Sequence, residues 1–121
     1  MHYADTYALI EILRGSPNYK PYKTLITSEF NLLELAYALT RDYNEEKARE
    51  ILGKVRKELI IVHPTDEDYI DAAKFKLEQK RKGINVSLID ALGYTLARNL
   101  GIPFLTGDKA FEKLENVEYV K

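Results

Sequence analysis

The feature that most constrains this chain is the alternation of short aliphatic segments with longer amphipathic ones. Leu59–Val62 and Ile102–Thr106 are too short for helices and have strand composition. The intervening segments have apolar residues at helical spacing, most clearly Leu88, Leu92, Leu96 and Leu100. Parallel strands need such helical crossovers. We therefore predict an α/β fold with three layers, α/β/α, around a central parallel sheet of four to five strands.

Local signals set the predicted boundaries. Strands are expected at His2–Ala4, Thr24–Thr27, Leu59–Val62, Ile102–Thr106 and Val117–Val120. Helices are expected over Thr6–Arg14, from Ser28 to about Arg41, from Asn44 to Glu58, from Thr65 to Lys82, from Ser87 to Gly101, and briefly after Asp108. Ser16–Lys23 is expected to be a loop. The unbroken run Leu59–Val62 further predicts a strand buried on both faces.

Length and composition limit the classes of function. At 121 residues, the chain fits one domain spanning 1–121. The absence of cysteine excludes thiolate metal sites and thiol nucleophiles. With no apolar run near the roughly 20 residues of a membrane span and no signal-peptide pattern, we expect a cytoplasmic protein that makes no membrane contact. A net charge of -1 indicates that any RNA contact depends on a local patch.

Four carboxylates stand at positions where chemistry is plausible. Asp5 and Asp108 directly follow predicted strands, so both belong to the carboxyl edge of the sheet, where such folds bind ligands. Asp90 is in the first turn of the helix that begins at Ser87. Glu34 lies in an apolar helix with no Lys or Arg within one turn. A desolvated carboxylate requires a partner, and a divalent ion shared with other acids would provide one.

Each acid also has a simpler explanation. Asp5 is a common helix-capping residue, Asp90 is favoured by the helix dipole, and Asp108 suits a turn. Glu34 could face solvent on a narrow polar stripe with Asn31 and Arg41. The four together favour a site, because the predicted fold places three of them at one sheet edge.

The same residues follow the pattern of PIN domains over essentially the whole chain. Asp5-Thr6 resembles the end of the first PIN strand, and Ser28 through Glu34 resembles the helix with the second acid. The segment from Ser87-Leu88-Ile89-Asp90, through a helix, to Thr106-Gly107-Asp108 is the most specific match. The compact length is similar to that of the VapC-like ribonuclease toxins of VapBC-type toxin–antitoxin systems.

This resemblance implies a site and a reaction. Asp5, Glu34, Asp90 and Asp108 would hold Mg²⁺ or Mn²⁺ and hydrolyse single-stranded RNA. Three hydroxyl residues would support these acids, namely Thr6, Ser28 and Thr106. The resemblance also implies a cognate antitoxin protein as a partner and a homodimer.

The chain departs from the family pattern in two places. The first strand is short and contains His2, and Ala110 stands where the family often has a further acid. The missing acid argues against a complete second metal site, so we expect one tightly held ion per chain.

The sequence gives candidates for the RNA contacts and leaves alternatives open for the function of the protein. Arg14, Lys20 and Lys23 are the candidate phosphate contacts, because they follow the helix that begins after Asp5. The alternatives are a PIN nuclease in RNA processing or quality control, and a PIN-fold module that binds RNA without cutting it. A receiver-like phosphoacceptor domain is disfavoured, since the strand at Leu59–Val62 ends in His63-Pro64-Thr65 without an acid.

Overall fold

The computed structural model describes residues Met1–Lys121, with five strands and five helices. The order is β1 (His2–Ala4), α1 (Thr6–Leu13), β2 (Leu25–Ser28), α2 (Glu29–Asp42), α3 (Glu45–Glu58), β3 (Ile60–Val62), α4 (Asp66–Arg81), α5 (Leu88–Leu100), β4 (Phe104–Thr106) and β5 (Val117–Tyr119). One-turn 3₁₀ helices occur at Pro17–Tyr19 and Lys109–Phe111. The first of these lies within the segment predicted to be a loop.

The strands form one wholly parallel sheet in the order β3-β2-β1-β4-β5. The predicted α/β fold with a central parallel sheet is therefore confirmed. β1 lies in the middle although it is the first element, because it pairs with β2 on one side and β4 on the other. Its carboxyl end is thus the centre of the sheet edge, which is where Asp5 follows.

Successive strand residues face opposite sides of the sheet, and each side has its own core. Tyr3 and Phe104 point into the core formed with α4 and α5, while Ala4 and Leu105 point into the core formed with α1, α2 and α3. All four side chains are fully buried. This period of two lets strands of three or four residues join two helical layers.

Helix ends follow the predicted caps with one exception. The side chains of Asn44, Thr65 and Ser87 accept backbone N–H bonds at the starts of α3, α4 and α5, and Thr65 forms a complete capping box with Asp68. Ser28 occupies the cap position of α2, but its side chain makes no capping bond. Its hydroxyl donates instead to the Asn31 side chain.

The prediction for β3 was wrong in one respect. β3 is an edge strand that pairs only with β2, and Ile60 is 50% exposed. Ile61 and Val62 pack against the two cores, but neither core covers Ile60. An aliphatic run therefore did not distinguish an edge strand from a central one.

None of the helices combines the length and apolarity required to span a bilayer.

Two helical glycines give a test of this packing. Gly53 in α3 has open space where a Cβ would lie, whereas a Cβ on Gly93 in α5 would lie 3.1 Å from ring atoms of both Tyr3 and Phe104. Replacing Gly53 with Ala should raise the free energy of unfolding by about 0.5–1 kcal/mol, through helix propensity. Replacing Gly93 with Ala should lower it by about 1 kcal/mol, because both rings are fully buried and cannot move aside. Chemical denaturation measures both values, and stabilisation by both variants would contradict the proposed packing of α5.

Candidate active site

The four predicted acids line a single open depression of about 770 Å³ at the carboxyl edge of the sheet. Asp5 follows β1, Glu34 comes from α2, Asp90 from the first turn of α5, and Asp108 follows β4. The structure thus gathers side chains from four segments that are far apart in sequence. The depression is also lined by Thr6, Tyr7, Ile10, Leu33, Tyr37, Ala38, Arg41, Ile89, Gly107, Lys109 and Lys121.

Asp5 is the most deeply placed of the four, at 3% exposure. One carboxylate oxygen accepts the backbone N–H of Ala8 at 2.8 Å, so Asp5 also caps α1. The other oxygen accepts a hydrogen bond from the Thr106 hydroxyl. The capping explanation and the site explanation of Asp5 are therefore compatible, because the two oxygens serve different donors.

Thr106 connects Asp5 to the segment after β4 that carries Asp108. Its hydroxyl oxygen accepts the backbone N–H of Asp108 at 3.0 Å while its proton goes to Asp5. The Asp108 carboxylate in turn accepts the N–H of Ala110 at 3.0 Å. Gly107 is required between them, since a Cβ there would lie 2.1 Å from the Tyr7 ring. Each residue of the Thr-Gly-Asp sequence thus has its own contact. Thr106 bonds to Asp5, Gly107 leaves room for the Tyr7 ring, and Asp108 accepts the Ala110 N–H.

Glu34 is oriented by a second threonine. The Thr6 hydroxyl donates to Glu34 Oε1 at 2.6 Å, and the Thr6 oxygen accepts from the Asn31 side-chain amide at 3.2 Å. Asn31 itself accepts from the Tyr3 hydroxyl at 2.5 Å. Ser28 contacts Asn31 and makes no direct hydrogen bond to any of the four acids. Asn31 was noted in the sequence only as part of a possible solvated stripe, whereas it is buried.

The electrostatics of the site disfavour the charged forms of two of its acids. Burial above all, and then the charges of Asp90 and Asp108, raise the pKa of Asp5 to about 7 against the lowering effect of its hydrogen bonds. Burial and the neighbouring Glu34 raise the pKa of Asp90 to about 6. None of the four acids is paired with Lys or Arg.

The donor set fits a hard divalent cation. All four side chains offer carboxylate oxygens, the ligands that Mg²⁺ and Mn²⁺ prefer, and no histidine or thiol lies in the depression. No group of three acidic or imidazole side chains is already drawn together closely enough to coordinate one ion. Unneutralised carboxylates repel one another, so some separation is expected physically.

The three candidate RNA contacts do not lie in this depression. Lys20 and Lys23 line a separate hollow beside Tyr19 and Tyr22. Arg14 lines a groove between α1, α2 and α3. The cations beside the acids are instead Arg41, Lys109 and Lys121. No sequence signal marked these three, because their placement depends on how α2 and the chain after β4 fold around the sheet edge.

The comparisons with known proteins agree on the fold. No curated protein matches the chain significantly. Among solved structures, the chain is similar to VapBC2 from Rickettsia felis bound to a DNA fragment from their promoter, with a TM-score of 0.78 and 19% identity over 99% of this chain and 98% of that one. It is also similar to VapC20 from Mycobacterium tuberculosis, described as a sarcin-ricin loop cleaving toxin, with a TM-score of 0.78 and 18% identity over 100% and 99% of the two chains.

A third similar structure is VapBC-1 from nontypeable Haemophilus influenzae, with a TM-score of 0.78 and 18% identity over 100% of this chain and 98% of that one. At such identities the likeness concerns the fold. A family model provides the assignment itself: the PIN domain model matches residues 3–117, which include all four acids. The chain belongs to the PIN domain family.

Proposed function

We propose that this protein is a metal-dependent endoribonuclease that cleaves single-stranded RNA, and that it is the toxin of a type II toxin–antitoxin pair. The observation that most supports the activity is the set of four carboxylates from four segments around one depression, none of them paired with a basic side chain. Burying such a set costs free energy that a divalent cation would offset. Membership of the PIN family and the similarity to VapC structures favour the same reading.

Asp5, Glu34, Asp90 and Asp108 would hold Mg²⁺ or Mn²⁺. The ion would supply Lewis-acid activation of water and neutralise the charge that develops on the phosphate. Asp5 is fixed by its two hydrogen bonds, so it provides a rigid anchor at the floor of the site. Asp90 and Asp108 line the same depression, and their negative charges contribute to the raised pKa of Asp5.

The rim of the depression suits a single-stranded nucleic acid. Arg41, Lys109 and Lys121 can contact phosphates around the acids. Tyr37 is 68% exposed, and the Arg41 guanidinium carbon lies 5.4 Å from the centroid of its ring. An exposed aromatic ring next to a phosphate contact is an arrangement on which an unpaired base can stack.

The groove between α1, α2 and α3 is the surface that we assign to the antitoxin. It has a volume of about 300 Å³ and an apolar floor that includes Ile10, Leu39 and Ile51. Ile10 and Ala38 line both this groove and the acid depression, so the two are adjacent. A segment lying in the groove would end beside the acids.

Homodimer formation is also part of the proposal, and α4 presents exposed apolar side chains for it, among them Ile70 and Leu77.

The direct test of the activity is cleavage of end-labelled single-stranded RNA with Mg²⁺, with Mn²⁺ and with EDTA. Asp90→Asn should reduce the metal-dependent rate by at least about 100-fold, since losing one ligand removes a few kcal/mol of charge stabilisation. Asp66→Asn is the matched control, because Asp66 is also in the first turn of a helix but is exposed. Cleavage that survives EDTA, or an Asp90→Asn variant as active as Asp66→Asn, would disprove the metal mechanism.

The raised pKa values predict how stability depends on pH without metal. Because Asp5 and Asp90 titrate near 7 and 6 when folded and near 4 when unfolded, the folded state binds more protons between these values. Their contribution to stability should therefore be lost as the pH rises from about 4 to 7. Thermal melts in EDTA should show a steeper fall for the wild type than for Asp90→Asn, and saturating Mg²⁺ should flatten the wild-type curve. Melting-temperature curves that run parallel for the two proteins would contradict a raised pKa of Asp90 in the folded state.

Two pairs of basic residues give competing predictions for RNA binding. Arg41→Ala with Lys109→Ala removes two charges at the acid depression, and Lys20→Ala with Lys23→Ala removes two at the separate hollow. Removing the first pair should make the plot of log affinity against log salt concentration shallower. Its negative slope should shrink in magnitude by about 1.4, since each single-strand phosphate contact contributes about 0.7. Fluorescence anisotropy with a labelled oligonucleotide measures this slope. A larger effect of the second pair would support the assignment made from sequence instead.

A further inference from the structure

We propose that Asn31 is a positioning residue for Glu34, and that it acts by directing the proton of the Thr6 hydroxyl. This inference rests on the proposed function, because it gives Glu34 its role in holding the cation. Asn31 lies one helical turn before Glu34 in α2 and is 1% exposed. A buried amide at a position where leucine would pack costs free energy unless its hydrogen bonds are made.

The orientation of the Asn31 amide follows from its neighbours. Its Oδ1 accepts from the Tyr3 hydroxyl at 2.5 Å and from the Ser28 hydroxyl at 3.3 Å. Its Nδ2 therefore faces Thr6 and donates to Oγ1 at 3.2 Å. The reverse orientation would present a carbonyl to Thr6 and would compete for the Thr6 proton.

The Thr6 hydroxyl then has only one use for its proton. It carries a single O–H, and its oxygen is already accepting from Asn31, so the proton is left for Glu34 Oε1 at 2.6 Å. A chain of hydrogen bonds thus runs in one direction, from Tyr3 through Asn31 and Thr6 to the carboxylate. Glu34 Oε2 receives no hydrogen bond from the protein and stays free for a cation.

The same device occurs at the other threonine of the site. Thr106 accepts the backbone N–H of Asp108 and donates its proton to Asp5. In that case the backbone of Asp108 supplies the N–H, and only proline there would remove it, together with the acid itself. For Thr6 a side chain supplies the N–H, so the arrangement can be dissected by substitution.

Glu34 has particular need of such support. Its side chain has three rotatable bonds, it stands on a helix instead of a strand end, and it is only partly buried. Without the Thr6 bond, the carboxylate can turn away from the other acids. Groups that orient a ligand in this way typically change metal affinity by about 10–100-fold.

The test is a double-mutant cycle on Mn²⁺ binding, measured by calorimetry with the full chain. Asn31→Leu and Thr6→Val each remove one link with little change of shape, and each should weaken binding about tenfold while about one ion per chain still binds. If Asn31 acts through Thr6, the double variant should bind no more weakly than either single one. Thr6→Ser keeps the hydroxyl and should retain near wild-type affinity.

The controls separate positioning from general destabilisation. Tyr94→Phe removes the hydrogen bond from a buried tyrosine to the Glu115 carbonyl and touches none of the Asn31–Thr6–Glu34 links, so it should lower the melting temperature and leave the affinity within about twofold. If Asn31→Leu does not fold, Asn31→Ser takes its place, because serine at this position is too short to reach Thr6.

The outcomes distinguish this inference from the proposed function. Wild-type affinity in a folded Asn31 variant, or additive losses in the double variant, would overturn the positioning role while the nuclease proposal stands. A wild-type protein that binds no Mn²⁺ would overturn both.

Discussion

The interaction on which the site depends is the pair of hydrogen bonds made by the Asp5 carboxylate. Asp5 lies at the end of the central strand, where it is 3% exposed and forms no ion pair with Lys or Arg. One bond fixes the start of α1, and the other joins β1 to the end of β4. A carboxylate that is held on both oxygens cannot rotate to relieve repulsion from Asp90 and Asp108. The remaining acids and any cation must therefore arrange themselves around it.

Two threonines control the protons of this site. Each accepts an N–H and passes its own proton to a carboxylate, Thr106 to Asp5 and Thr6 to Glu34. Hydroxyl groups suit this task because each can accept one hydrogen bond and donate another without adding charge. The geometry of the cluster is thus set by neutral groups that add no positive charge to it. A lysine or arginine in the same place would fix the acids equally well but would compete with any bound cation.

Much of this arrangement was predictable from the residues, and the exceptions share a physical cause. Periodicity and caps located all five strands and all five helices, and the strand-end rule brought Asp5 and Asp108 to one edge. The exposure of Ile60 was not predictable, because strand order is not encoded in the composition of a single strand. Asn31 and Lys109 were missed for a similar reason. Their meaning comes from neighbours that are distant in sequence, and only the folded chain brings those neighbours together.

The central position of β1 also determines when the site can form during synthesis. Asp5 and Thr106 are hydrogen-bonded across 101 residues of sequence, so the acids cannot assemble until β4 has left the ribosome. The residues lining the groove between α1, α2 and α3 all lie between Ile10 and Lys54. They emerge while the second half of the chain is still being made. An inhibitor that recognises this groove could meet its target on the nascent chain, before the protein has any catalytic capacity to restrain.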